Sequence, residues 1–324
     1  MILDYLNLLK LVLFLRVMKV LVTGGSGFIG SWVVDRLVDG GYEVVVVDKV
    51  GYDWKNGDRV RFYECDILDS EKLNGVFERE GFDLVIHMAA NTLLRKSIED
   101  PMYDARLNIL GSISVLECCR KNDVDKLIYT STGGARVGEP KYLPVDEKHP
   151  LNPMSPYGIS KHSVEHYVEM YGELYGIDYF IFCFGNVYGP RDSVDTKRLV
   201  PVFLDKFLKK ERPMIFGDGE KTRDFIYVMD LVDFMIGSID KMGGTENKLF
   251  HLANGKEVSV SEMVRIMKEV SGSDVEPGNV DEIKGEVDRI VLDTRLAREE
   301  LGWDPKTSIE EGIRESWGWV KGGG

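Results

Sequence analysis

Several features that define other classes of protein are scarce or missing in this chain of 324 residues. It has four cysteines and no C-x-x-C pair, which disfavours a structural zinc site and a disulfide scaffold. No apolar run reaches the ~20 residues of a membrane-spanning helix. The formal net charge is −13, which opposes binding to nucleic acid and to anionic lipid. We therefore expect a cytoplasmic protein with no metal, no nucleic-acid partner and no membrane partner.

The first 17 residues form the most apolar segment of the chain. Asp4, Lys10 and Arg16 interrupt this segment, and neither a basic start nor a small-residue cleavage site marks it as a secretory signal. Met18 then opens MKVLVTGG, which is typical of the start of a domain. We expect residues 1–17 to be an extension from an upstream start codon. A membrane-surface helix or a partner-binding helix is the alternative.

Strands and helices alternate over the first half of the chain. Continuous apolar runs rich in β-branched residues predict strands at 19–23, 43–48, 61–65, 84–87, 126–130 and 179–184. Helical patterns lie between them at 28–40, 70–80, 101–121 and 157–175. This alternation predicts an α/β fold with a doubly wound parallel sheet, the Rossmann arrangement.

The pattern is less regular after residue 188. We expect a Rossmann domain at 18–187, to which the chain returns at about 224–252. A smaller mixed α/β lobe would comprise 188–223 and 253–324, with helices at 199–210 and 259–271. This lobe is the expected site for the substrate.

A glycine-rich loop, TGGSGFIG at residues 23–30, follows the first strand and opens the first helix. Glycine allows a tight turn and a close approach of backbone N–H groups to a pyrophosphate, which the helix N-terminus also attracts. Asp48 ends the next strand, where its carboxylate would accept from ribose hydroxyls and repel a 2′-phosphate. The predicted cofactor is therefore NAD, contacted here by Gly24, Gly27, Phe28, Ile29, Gly30, Asp48 and Lys49.

Two further strand ends carry candidate cofactor contacts. Asp66 follows the third strand, and its carboxylate is placed to accept from the adenine amino group; a helix N-cap or surface turn is the alternative. Ile67 beside it, and Ala89 after the fourth strand, are also predicted to contact NAD. Asn108, within the helical segment at 101–121, is expected to lie behind the cofactor.

A second motif pairs Tyr157 with Lys161. Ser155-Pro156 is typical of a helix start, which places the two side chains at i and i+4 on one helical face. A tyrosine with a pKa near ~10 is a poor base at neutral pH, but a nearby ammonium and a positively charged nicotinamide would stabilise its phenolate. Taken alone, Y-x-x-x-K more often marks a surface helix.

In combination, these motifs are similar to those of a known enzyme family. TGGSGFIG, the HMAA run at 87–90, Tyr157-x-x-x-Lys161 and the NVYGPR run at 186–191 resemble the extended short-chain dehydrogenase/reductases. Within them, they resemble the NAD-dependent epimerase/dehydratase family that acts on nucleotide sugars. The resemblance covers roughly residues 18–320, and residues 95–117 are similar to the branch that interconverts UDP-glucose and UDP-galactose.

The resemblance implies a reaction. Tyr157, supported by Lys161, would take the proton of the sugar 4-hydroxyl while hydride moves from C4 to NAD and later returns to the other face. One alternative within the family is a 4,6-dehydratase, decarboxylase or 4-ketoreductase. A second alternative is a non-catalytic Rossmann protein that senses NAD.

The chain departs from the family pattern at several positions. The usual catalytic hydroxyl falls on Gly133, so Thr132, Ser131 or a water molecule would have to replace it. Arg136-Val137 stands where relatives have a tyrosine before a glycine, and Cys183 stands where an arginine is common. The pair at 133–134 is Gly-Gly, where dehydratases and many decarboxylases carry acids, which favours simple epimerisation.

Arginine residues of the lobe are expected to grip the substrate diphosphate. Arg223 and Arg289 match family positions for this role, with a surface ion pair as the alternative for each. The predicted substrate-binding residues are Ser131, Thr132, Asn186, Arg223 and Arg289.

Two further expectations concern assembly and metal binding. The resemblance implies a homodimer through the helices at 101–121 and 157–175. His162–His166 reads HSVEH, a zinc-protease pattern, but it overlaps the Tyr157 helix and lacks a third ligand, so no metal site is expected.

Overall fold

The computed structural model describes residues 17–245, 247–282 and 287–323 of the chain. The apolar segment before Val17 lies outside the described residues, so the expectation for it stays a prediction. Within the described part of the chain, no helix is both long and apolar enough to cross a membrane.

A seven-stranded parallel sheet forms the larger part of the molecule, with the strand order β11-β6-β5-β4-β1-β2-β3. This order confirms the predicted doubly wound arrangement. The strands are β1 Lys19–Thr23, β2 Glu43–Asp48, β3 Val60–Glu64, β4 Leu84–His87, β5 Lys126–Thr132, β6 Asp178–Phe184, β7 Asn186–Tyr188, β8 Met214–Phe216, β9 Thr222–Arg223, β10 Phe225–Tyr227, β11 Lys248–Leu252, β12 Val258–Ser259 and β13 Gly278–Val280.

Helices cover both faces of this sheet, and the strands are apolar on both faces for that reason. On β1, Val20 and Val22 face one hydrophobic cluster and Leu21 faces another. The helices are α1 Phe28–Asp39, α2 Ser70–Glu80, α3 Leu94–Glu99, α4 Pro101–Ala105, α5 Gly111–Lys121, α6 Pro156–Tyr175, α7 Leu199–Leu208, α8 Val228–Gly237, α9 Val260–Ser271, α10 Arg295–Leu301 and α11 Ile309–Lys321.

The segment predicted as one helix at 101–121 is interrupted. A π-helical turn, Arg106–Leu110, separates α4 from α5. The buried Asn108 lies inside this turn, and its amide is held by residues outside the helix. Periodicity alone does not detect such an insertion, because the apolar stripe continues on both sides of it.

The smaller lobe is mixed α/β, as expected. Helices α7, α9 and α11 pack on one another, and short strands pair as β7 with β10, β8 with β13, and β9 with β12. Between these segments the chain returns to the large sheet, where β11 pairs in parallel with β6 at the edge.

Helix α6 carries the predicted tyrosine and lysine, and its sequence fixes where it begins. The Ser155 hydroxyl accepts a hydrogen bond from the Gly158 N–H (3.2 Å), and Pro156 occupies the first turn. At the other end, Gly176 adopts a left-handed conformation with φ +72°. This start places Tyr157 in the first turn of the helix, beside the carboxyl end of β5.

Candidate active site

A cleft of about 1390 Å³ lies between the carboxyl ends of the sheet strands and the lobe. Its volume exceeds the ~300–1,000 Å³ of a common small-ligand pocket. The predicted residues that line it are Gly24, Gly27, Phe28, Ile29, Gly30, Asp48, Lys49, Asp66, Ile67, Ala89, Ser131, Thr132, Tyr157, Lys161, Asn186 and Arg223. Asn108 and Arg289 are not among its lining residues.

The glycine loop is packed so closely that its glycines cannot be replaced. Gly24 has φ +75°, and a Cβ on it would lie 2.7 Å from the backbone nitrogen of Ala89. A Cβ on Gly30 would lie 2.1 Å from the Gly24 carbonyl oxygen. The loop thereby leaves the N-terminus of α1 open to the cleft, which suits a pyrophosphate. These residues fit NAD.

Asp48 lies at the end of β2 beside this loop. Its carboxylate accepts hydrogen bonds from the backbone N–H groups of Ser26 (3.0 Å) and Lys49 (2.7 Å). Asp66 accepts from the Leu68 N–H (3.0 Å), and its other oxygen lies 3.9 Å from the Lys49 ammonium. Asp69, and not Asp66, caps the following helix. Both predicted carboxylates therefore keep part of their surface toward the cleft.

Tyr157 meets the end of β5 at the centre of the cleft. Burial raises the pKa of its phenol to about 12, against the lowering effects of Arg198 and of a hydrogen bond with the Thr132 hydroxyl. Of the two side chains that the sequence left open, Thr132 is the one that acts on the Tyr157 phenol, whereas the Ser131 hydroxyl donates to Glu165. A phenol with this pKa keeps its proton at neutral pH until further positive charge is brought near it.

Lys161 lies one turn further along α6. Its ammonium nitrogen is 4.3 Å from the centre of the Tyr129 ring. Burial lowers the pKa of Lys161 to about 8, and the charge of Glu165 acts in the opposite direction. Near neutral pH, the fraction of Lys161 that carries a positive charge therefore depends on the charges of its neighbours.

His87 at the end of β4 is held in one tautomer. The Ser112 hydroxyl donates to the Asn108 carbonyl (2.6 Å) and so accepts from His87 Nε2–H (2.8 Å). The Thr23 hydroxyl then donates to His87 Nδ1 (2.7 Å). Burial lowers the pKa of His87 to about 3. The histidine is a neutral link between strands and helix rather than a base.

Asn108 supports the cleft from behind. Its amide oxygen accepts from the Asn91 N–H (2.8 Å), and its amide nitrogen donates to the Asn91 carbonyl (3.0 Å) and to Asp104 (2.9 Å). Asp104 also accepts from the Ser160 hydroxyl (2.7 Å) on α6. Asn91 lines the cleft. Asn108 thus holds the cleft-lining Asn91 in place from behind the cleft, and its role toward NAD stays a prediction.

The two lobe arginines differ in position. Arg223 on β9 lines the cleft and donates to the Thr222 carbonyl (2.8 Å). Arg289 does not line the cleft and forms a two-point ion pair with Glu257 (2.9 and 2.7 Å), its side chain 61% exposed. This contact is a surface ion pair, the kind given as the alternative, and the substrate-binding role of Arg289 stays a prediction.

Several cations that line the cleft were not predicted, among them Arg198 and Lys221. Arg198 precedes α7 and contacts Asp192 (3.0 Å) and the Thr92 hydroxyl (3.3 Å). Lys221 lies beside β9, with Glu282 2.6 Å from its ammonium nitrogen. No motif marks Arg198, whereas the KTR run at 221–223 could have suggested Lys221 together with Arg223.

The HSVEH segment has a structural explanation. His162 contacts Glu165 (2.9 Å) and His166 contacts Glu169 (3.2 Å), each through Nδ1 and each one turn along α6. Across residues 17–245, 247–282 and 287–323, no three His, Cys, Asp or Glu side chains are arranged to hold a metal ion.

The fold and the glycine loop match a known family. The model of the NAD dependent epimerase/dehydratase family matches residues 20–253. The chain belongs to this family. It is a nucleotide-sugar epimerase with NAD as its cofactor.

Three similar proteins illustrate the range within the family. UDP-glucose 4-epimerase of Mycolicibacterium smegmatis is 35% identical over 92% of this chain and 97% of its own length. UDP-glucose 4-epimerase of Thermotoga maritima, solved with UDP-glucose, superimposes with a TM-score of 0.90 at 38% identity, covering 94% of this chain and 99% of that one. UDP-N-acetylglucosamine 4-epimerase of Methanobrevibacter ruminantium M1 superimposes with a TM-score of 0.88 at 30% identity. The match covers 95% of this chain and 100% of that one.

Proposed function

We propose that this chain is an NAD-dependent 4-epimerase that interconverts UDP-glucose and UDP-galactose. The observation that carries the proposal is that Thr132, Tyr157 and Lys161 line the same cleft as the glycine loop, with the Thr132 side chain close enough to act on the Tyr157 phenol. The names of the M. smegmatis and T. maritima relatives support the choice of sugar.

Each residue has one task in the proposed mechanism. The glycine loop and Asp48 would hold NAD, which would supply the hydride acceptor for the sugar C4. Tyr157 removes the proton of the 4-hydroxyl and later gives it back. The Thr132 hydroxyl orients the same sugar oxygen, and the Lys161 ammonium stabilises the Tyr157 phenolate. Arg223 holds the diphosphate, and the exposed Asn186 at the start of β7 lies beside it in the cleft.

The glycine pair after Thr132 favours epimerisation over elimination. Removing water across C5–C6 needs a further acid and base near those carbons. A Cβ on Gly133 would lie 2.3 Å from the Leu292 side chain and 2.9 Å from the Phe184 carbonyl oxygen, so this position has no room for a carboxylate. Gly134 lines the cleft without a side chain.

Proton NMR of the purified protein with UDP-glucose in D₂O, without added NAD, tests the proposal. We expect UDP-galactose to form without deuterium at C4, because the hydride is returned internally and never exchanges with solvent. A 4-keto-6-deoxy product would contradict the proposal and identify a dehydratase. Turnover of UDP-N-acetylglucosamine alone would place the chain with the M. ruminantium relative.

We also propose a cytoplasmic homodimer. Exposed apolar side chains lie on the two helical segments expected to pair: Met102, Leu110, Ile159, Met170 and Leu174. Four buried cysteines without disulfides suit a reducing compartment.

A further inference from the structure

A buried carboxylate lies next to the catalytic side chains and has no task in the mechanism above. Glu165 is on α6, four residues after Lys161 and eight after Tyr157, so the three side chains share one face of the helix. The residue is 1% exposed. Burying a charge of this kind is costly unless it is fully paired.

Three groups pair with this carboxylate. The Ser131 hydroxyl donates to one oxygen of Glu165 at 2.5 Å. On the other oxygen, Arg136 Nε lies at 3.1 Å and His162 Nδ1 at 2.9 Å. Arg136 comes from the loop after β5 and is itself only 4% exposed. The pairing lowers the pKa of Glu165 despite its burial, so the carboxylate is ionised.

Two departures from the family pattern meet at this point. Arg136 stands in the run that lacks the usual tyrosine, and Cys183 stands where an arginine is common. The Arg136 guanidinium lies 3.5 Å from Cys183 Sγ, and that sulfur lies 3.7 Å from Glu165. The positive charge facing Glu165 therefore comes from the loop after β5 instead of from β6.

We propose that Arg136 and Glu165 are positioning residues that hold the end of β5, and with it the Thr132 hydroxyl, against Tyr157. Ser131 is bonded to Glu165, and Thr132 is the next residue along the strand. Arg136 ties the loop that follows Thr132 to Glu165 through the ion pair at 3.1 Å and to Cys183 Sγ at 3.5 Å. The inference rests on the proposed function of Thr132 and Tyr157.

The pair also sets the charge around Lys161. The ionisable groups that face Glu165 are His162 and Lys161 on its own helix, Arg136 on the loop, Tyr129 on β5, Cys183 on β6 and His251 on β11. The Glu165 carboxylate raises the pKa of Lys161 and of the buried Arg136 guanidinium, and so favours the charged form of both.

The first test moves the positive charge from the loop after β5 to strand β6. We expect Arg136→Met to lower kcat on the order of 10²-fold, since a shift of about 1 Å in a catalytic group has that effect, with the KM for UDP-glucose changed less than about twofold. Adding Cys183→Arg to this variant places the guanidinium on β6, in the space that the shorter side chain vacates. We expect it to recover at least about tenfold of the lost kcat.

The second test uses the pH dependence of kcat, which a merely structural defect would not move. Glu165→Gln keeps an acceptor for Ser131 but removes the negative charge that raises the pKa of Lys161. The ammonium of Lys161 then loses its proton more easily, so the alkaline limb of the profile moves to lower pH. Arg136→Met keeps the carboxylate, so its alkaline limb should stay close to that of the wild type.

The outcomes separate this inference from the proposed function. The inference is overturned if Arg136→Met keeps its kcat within about twofold. It is also overturned if the alkaline limb of Glu165→Gln stays in place and Cys183→Arg recovers none of the lost kcat. If the wild type converts no sugar, the proposed function fails, and the crystal structure of Arg136→Met decides the positioning claim. Displacement of Thr132 from Tyr157 supports it, and an unchanged Thr132–Tyr157 contact overturns it.

Discussion

At the scale of single residues, the proposed catalytic set depends on Thr132, which stands one position earlier than the family pattern places its hydroxyl. The side chain reaches Tyr157 from the last position of β5. Gly133 then turns away and donates its N–H to the Phe184 carbonyl (2.8 Å). The sequence alone could name Thr132 as a replacement, but could not choose it over Ser131, whose hydroxyl is bonded to Glu165.

The Thr132 hydroxyl can be tested against a side chain of the same shape. Thr132→Val removes the hydrogen bond to Tyr157 and leaves the volume nearly unchanged. We expect kcat to fall roughly 10–10²-fold, toward the low end of the range for groups that assist proton transfer. Thr132→Ser should keep most of the activity. Steady-state kinetics with UDP-glucose measure both variants. Wild-type activity in Thr132→Val would show that a group other than the Thr132 hydroxyl assists Tyr157.

The two lobe arginines provide a matched pair. Arg223→Ala removes a cation that lines the cleft, and we expect the KM for the UDP-sugar to rise about tenfold or more, as the loss of one charge-assisted phosphate contact implies. Arg289→Ala removes an exposed cation already paired with Glu257, so its KM should stay within about twofold. The opposite ranking would show that Arg289 turns into the cleft when substrate binds.

At the scale of secondary-structure elements, six of the seven strands of the large sheet were predictable, whereas β11, the short strands and the irregular helix were not. The β-branched runs define β1, β2 and β4 almost to the residue, because a strand buried on both faces is apolar throughout. The π-helical turn at Arg106–Leu110 depends on the contacts that Asn108 makes across space to Asn91 and Asp104. Such contacts have no local signature in the chain.

The neutral His87 link predicts sensitivity to acid. Its pKa of about 3 in the folded protein is below the ~6.5 of the unfolded chain. Below pH 6.5 the unfolded state therefore binds a proton that the folded state does not, and stability falls as the pH drops toward 3. At pH 5 we expect His87 to contribute a loss of about 2 kcal/mol relative to pH 7.

Urea unfolding at pH 7 and pH 5 measures this loss. The control is His87→Gln, which keeps hydrogen-bonding groups but does not titrate, and its stability should depend less steeply on pH than that of the wild type. Parallel pH profiles for the two proteins would mean that His87 is not buried in its neutral form.

At the scale of the whole molecule, the exposed apolar side chains of α4–α6 predict self-association. Leu174 near the end of α6 is 61% exposed, and a charge placed there would be buried in the proposed dimer. We expect light scattering after size exclusion to give about twice the 36.7 kDa chain mass for the wild type and the monomer mass for Leu174→Asp. Leu208→Asp, on the lobe, is the control and should remain dimeric. A monomeric wild type would contradict the dimer.

The position of β11 has a consequence for how the protein is made. This strand pairs with β6 at the edge of the large sheet, yet more than 60 residues of the lobe and of α8 separate the two in the chain. As the polypeptide leaves the ribosome, one edge of β6 stays unpaired until β11 has emerged. Open edges of this kind invite pairing with other chains. Nascent forms ending before residue 248 should therefore depend on chaperones, and the Rossmann part cannot be expressed as a stable fragment by cutting at the lobe.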